Sequence, residues 1–128
     1  MAHSEALKLV ENVMEGSFKI DPTNIDKFLT ALRPLWNAVC REPECLFFEV
    51  LHDSKETGTF RFIEVWSKDS TWFFEHQAKK PYYKPFFEVA EPLMLDRVIK
   101  SWERVGGWSY VSDQYLEGSV REEDANLI

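Results

Sequence analysis

Thr59–Trp66 reads TFRFIEVW, and this stretch decides the fold. Its alternation puts Phe60, Phe62 and Trp66 on one side and Ile63 and Val65 on the other, as in a strand apolar on both faces. The preceding stretch, Cys45–His52 (CLFFEVLH), has the same character, with Leu46, Phe48 and Val50 set against Phe47 and Leu51. A polar segment over 52–58 joins the two as a hairpin. A sheet apolar on both faces has to be covered on both. Helices cover one face, and a second copy of the sheet is the simplest cover for the other, so the pattern predicts a homodimer with an apolar interface. The competing cover is the C-terminal segment folded back over the sheet. Glu49 and Arg61 point to that second face, where a cross-strand or intersubunit pair accounts for them.

Outward from this hairpin, residues 7–20 (LKLVENVMEGSFKI) alternate as a strand, with Gly16 marking a bulge or the strand's practical end. Asp21-Pro22 is a helix start, and Ile25, Phe28, Leu29, Leu32, Leu35, Trp36 and Val39 then fall on one helical stripe. Pro34 is expected to kink this helix without ending it. Ser67 or Asp69 caps a helix running through Lys79, Pro81 opens a shorter one (YYKPFFEVA), and residues 93–102 form the last strand. The order is β-α-β-β-α-β: a ferredoxin-like α+β fold, with a four-stranded antiparallel sheet and its helices on one face. Residues 1–104 make this domain. Residues 105–128 form an extension in which Trp108, Tyr110, Tyr115 and Leu116 are too apolar for plain disorder. It is expected to pack on the body or the partner subunit, with 121–126 frayed.

The 128 residues are enough for one domain with a real core. Fifteen basic against twenty-two acidic side chains give a net charge of −7, which argues against binding nucleic acid through its phosphates and against an anionic membrane surface. No run approaches the roughly 18 apolar residues of a membrane span. Cys40 and Cys45 show neither disulfide-framework nor zinc spacing and are read as free thiols, with the cytoplasm as the expected location. Nothing resembles a phosphate-cradling loop, a dinucleotide fingerprint, a metal set or a serine-nucleophile motif.

Five segments in order, FLTALRPL (28–35), Arg41-Glu42-Pro43 with Cys45 and Leu46, Glu49-Val50-Leu51, FIEVW (62–66) and HQAKKPYYKPFF (76–87), resemble the antibiotic biosynthesis monooxygenase family of dimeric α+β barrels. Glu44 departs from the pattern, because the family usually carries Gly after the Glu-Pro pair. The resemblance implies a substrate held within each protomer, between helices and sheet. It also implies oxygenation of an activated aromatic (phenol, hydroquinone or anthrone-like) by dioxygen, without metal or flavin. One branch of the family binds and degrades haem, and other relatives are isomerases or cyclases, so the fold is better fixed than the reaction.

The site residues follow from these two sources. His76 comes one helical turn after Trp72 and Phe73, which directs its imidazole inward, where it would serve as a base near neutral pH. Trp66 ends its strand on the Phe62 and Glu64 side. With Asn12 on the first strand, Trp66 and His76 occupy the three elements that the haem-degrading branch uses, which makes haem the alternative to a cofactor-free site. Phe48, Phe62, Glu64, Trp72, Tyr82, Tyr83 and Phe86 are the expected lining, with a Tyr hydroxyl available to a phenolic substrate. Glu64 is expected either to orient His76 or substrate, or to pair with Arg97 or Lys100.

Overall fold

The computed structural model describes residues 8–118. β1 (Leu9–Ile20) leads through a 3-10 turn at Pro22–Asn24 into α1 (Ile25–Cys40), followed by β2 (Cys45–His52) and β3 (Thr59–Trp66). α2 (Ser70–Glu75), a 3-10 turn at Gln77–Lys79 and α3 (Tyr83–Ala90) lie between β3 and β4 (Met94–Val105). The strands pair antiparallel in the order β2-β3-β1-β4, the ferredoxin-like arrangement. The expected 121–126 fraying falls outside the described residues.

Local chemistry explains the boundaries. The Asp21 carboxylate accepts from the Thr23 backbone N–H, and Pro22 occupies the first helical position. Pro34 sits inside α1 without ending it. Asp69 caps α2 by accepting from Trp72 N. The turn after α1 is built without positive φ at Glu44, so the Gly usual there is dispensable. Gly58 is different. Its φ is +94°, and a Cβ would lie 2.0 Å from the Ile20 carbonyl oxygen. The His52 imidazole accepts from the Gly58 N–H at 3.0 Å, so this loop-mouth histidine closes the hairpin.

The helix-facing side holds the core. Phe28 is completely buried, with Phe60 at 5.3 Å, Phe86 at 5.9 Å, Phe62 at 6.2 Å and Phe18 at 6.4 Å between ring centroids. Gly16 neither bulges nor ends β1, as its place in the sequence suggested. It pairs in register with Phe62 and Ile99, and the Phe18 ring folds back over the space a side chain would fill, 2.8 Å from an added Cβ.

Irregularities fall elsewhere. In β2 the register shifts between Cys45 and Phe47, so Leu46 is the extra residue and is 57% exposed. Cys45, not Leu46, packs against the core. A second shift, between Glu11 and Val13, leaves Asn12 as the extra residue against β4. On the outer face, Tyr115 packs on Phe47 at 6.0 Å and its hydroxyl bonds the Glu49 carboxylate. Trp108 and Tyr110 stay 85% and 88% exposed, so among the described residues of the extension it is Tyr115 that covers this face, at its β2 end.

Phe28→Ala removes the α1 ring that packs on both α3 and the sheet. Chemical denaturation is expected to show a loss of about 3–5 kcal/mol, with little change in denaturant dependence.

Candidate active site

Between the helices and the sheet lies a cavity of about 240 Å³. Its floor is β1 at Met14, Gly16 and Phe18, flanked by Phe62 and Glu64 on β3, Phe48 on β2, and Arg97 and Ile99 on β4. Leu35 and Val39 of α1 form one wall, and Phe73 and Phe74 of α2 another. Tyr83, Phe86 and Phe87 of α3 close the roof, with Ala78 beside them. At Gly16 the floor is made by its neighbours: the Phe18 ring and the Ile99 side chain lie over the place a Cβ would take, at 2.8 and 3.4 Å. A mostly apolar cavity with a few convergent polar groups is the usual form of a small-molecule site.

Glu64, Tyr83 and Arg97 are the polar side chains that matter. Burial lifts the Glu64 carboxyl from an ordinary value of 4.5 to about 8, the nearby Cys45 thiol adds to this, and the Trp66 indole works in the other direction. The expected ion pair with Arg97 or Lys100 is not formed. Lys100 pairs with Glu15 in register on the outward side of β4 and lies over the Trp102 ring at 3.9 Å. The Arg97 guanidinium lies over Phe87 at 4.7 Å.

Tyr83 is held from behind. Gln77, completely buried, donates from Nε2 to the hydroxyl oxygens of Tyr82 at 2.6 Å and Tyr83 at 3.0 Å. Tyr82 donates in turn to Glu42 at 3.0 Å, and Glu42 is bonded to the Lys80 ammonium. The Lys80 bond keeps the Glu42 carboxyl below its usual range, whereas burial pushes Tyr82 up to about 12 and Tyr83 higher still. Because the Tyr83 oxygen already accepts from Gln77, its proton remains for an acceptor in the cavity.

Of the residues expected from sequence, Phe48, Phe62, Glu64, Tyr83 and Phe86 meet at this cavity. Tyr82 and Trp72 pack beside the core without lining it. His76 does not face inward. α2 ends at Glu75, and His76 leaves helical geometry with φ −122° and ψ −61°. Its side chain is therefore exposed against Trp72, and Gln77 takes the inward position. Asn12 donates to the Trp66 carbonyl at 2.5 Å, which ties the end of β1 to the end of β3. The Trp66 ring is buried between Trp72 and Phe73. Asn12, Trp66 and His76 thus share no cavity. Sequence reasoning missed Gln77 and the cavity role of Arg97; the end of α2 that turns Gln77 inward carries no Gly or Pro to announce it.

The sequence model for the antibiotic biosynthesis monooxygenase family matches residues 13–88, the whole stretch from the cavity floor to its roof. The chain belongs to that family. Over 76 residues it is 37% identical to a protein of Pestalotiopsis microspora named as an inferred monooxygenase, covering 59% of this chain and 63% of that protein's length. A solved structure described as an antibiotic biosynthesis monooxygenase superposes with a TM-score of 0.66 at 22% identity, over 77% of this chain and 99% of the other. A Caulobacter crescentus protein assigned to the same family gives 0.65 at 20% identity, over 82% and 99%. These superpositions bear on the fold. Among the described residues no helix is long and apolar enough to cross a membrane, and no cluster of His, Cys, Asp and Glu could hold a metal.

The raised Glu64 pKa carries a sign for stability. The neutral carboxyl's contribution is complete below about 4.5 and is lost as the pH rises through about 8. The Tm of the unmodified protein is therefore expected to fall across that window relative to Glu64→Gln, as read by paired thermal melts. Parallel Tm profiles would show that Glu64 titrates normally.

Proposed function

We propose that this family member is a cofactor-independent monooxygenase that oxidises a small aromatic with dioxygen. The observation that carries this reading is the aromatic-walled cavity with Glu64 as its buried carboxyl. A phenol or anthrone-like substrate loses a proton from its activated C–H or O–H to ionised Glu64. The electron-rich carbanion then reduces dioxygen, forming a C–O bond and, after protonation, a hydroperoxide. Loss of water from the hydroperoxide breaks the O–O bond and leaves a carbonyl, so a CH2 group and O2 become C=O and H2O. The substrate supplies the electrons. Tyr83 donates its hydrogen bond to the oxyanion that develops on the ring, and the apolar walls exclude water from the carbanion.

Glu64 replaces His76 as the proposed base because the imidazole lies outside the cavity. A base of pKa about 8 works as the carboxylate, so kcat should rise with pH through that value. Oxygen uptake with a hydroquinone and anthrone panel tests this. Glu64→Gln is expected to lower kcat by about a hundredfold or more and to flatten the pH profile, whereas His76→Ala stays within about twofold. The reverse ranking would return the base to His76. Product formation without oxygen consumption would mark a cyclase or isomerase.

The residues present do not fit a haem. The imidazole that would approach the iron faces outward, the Asn12 amide is engaged by Trp66, and about 240 Å³ is small beside the roughly 300–1,000 Å³ typical of ligand pockets. An unshifted Soret band on adding haemin is the result expected.

The working unit is proposed to be a homodimer joined through the outer sheet face. Val98 and Trp102, 53% and 44% exposed, lie on that face and are supported by Val13, Ile63 and Val65 beside them. Light scattering is expected to give twice the mass of the 15.1 kDa chain, and the Val98→Asp, Trp102→Asp double variant to give the mass of a single chain.

A further inference from the structure

We propose that Arg97 makes this cavity selective for an aromatic substrate that carries a carboxylate, with the guanidinium binding the anion at the β4 end. The inference rests on the reading of the cavity as an aromatic-substrate site and adds the class of substrate it takes.

Arg97 is the one cationic side chain among the residues lining the cavity. Its place is set by register: it lies opposite Phe18 on β1, whereas Glu64 lies opposite Met14. Those two levels are four residues apart along β1, about 13 Å at strand rise, and they sit on opposite sides of that strand. The Gly16 floor, with Glu15 beside it, and the apolar walls lie between them. The cavity therefore has an acidic end and a cationic end, separated by a surface that suits a ring.

The chain carries twenty-two acidic side chains, yet neither ion pair among the described residues uses Arg97. Its guanidinium rests on the Phe87 ring. Stacking on a ring face holds the plane of the guanidinium while leaving its N–H donors at the edge for a ligand. A carboxylate is the anion this planar fork matches in two parallel hydrogen bonds. Glu64 opposes such a ligand little: it is neutral below about 8, carries negative charge only when it has lost its proton, and is neutral again once it takes one from the substrate. In a protein of net charge −7, an unpaired guanidinium in a cavity wall is also the local feature that draws an anion in.

The test uses two hydroquinones of similar size, gentisate with a ring carboxylate and methylhydroquinone with a methyl group. Binding is measured under argon by titration calorimetry with the full chain, and circular dichroism confirms that the variants are folded. The unmodified protein should bind gentisate at least tenfold more tightly than methylhydroquinone. Arg97→Gln should lose about tenfold toward gentisate and change methylhydroquinone by less than about twofold, and Arg97→Lys should recover part of the loss. In turnover the effect should appear in KM for gentisate, with kcat little changed. Equal binding of the two ligands, or an equal loss for both in Arg97→Gln, overturns the proposal while leaving the cavity reading in place. If neither ligand binds the unmodified protein, the proposal and the cavity reading fall together.

Discussion

The two-residue repeat of β1 governs this molecule. β1 lies between β3 and β4, and its pleat sends Met14, Gly16, Phe18 and Ile20 toward the helices at successive levels. At the Phe18 level the rings of Phe28, Phe60 and Phe62 close the interior. One step away the absent side chain of Gly16 makes room for the Phe18 ring, which turns back over it. The packing of two neighbouring levels of a single strand thus depends on the size of one residue.

The fold was legible in the sequence because its signals are repeated. Alternation in β2 and β3, the stripe of α1 and the Asp21-Pro22 cap each specify an element alone, and their order leaves one familiar topology. The bulge at Leu46 was not legible, since an extra residue in a strand looks like any other apolar residue. The site was legible in part. Phe48, Phe62, Glu64, Tyr83 and Phe86 follow from strand parity and helix spacing, which extend over whole elements. His76 failed for a local reason: the prediction carried helical geometry past Glu75, and φ and ψ at 76 do not follow it. Arg97 failed for a tertiary one: β4 is an exposed edge strand, and only its meeting with Phe87 of α3 brings this exposed side chain to the cavity.

The polar side of the cavity has a division of labour. Lys80, Glu42, Tyr82 and Gln77 form a chain that ends at Tyr83, so one held hydroxyl is delivered into an otherwise apolar wall, while the Gln77 Oε1 stays buried without a partner. Glu64 has no such support. The Trp66 indole offsets only part of its burial, and the same desolvation that disfavours the charged form tunes the group to accept a proton near neutral pH.

The central position of β1 also dictates when the cavity comes into being. β2 and β3 are joined by a short hairpin and can pair soon after they are made. The contact of Ser101 with Met14, by contrast, closes a separation of 87 residues. During synthesis the cavity's first strand must therefore wait, one edge unpaired, for almost the whole chain to follow. Until then Gly16 and Phe18 present a naked template to any other strand. The wall that carries Arg97 closes that edge late, and the same pairing that removes the aggregation hazard completes the cavity.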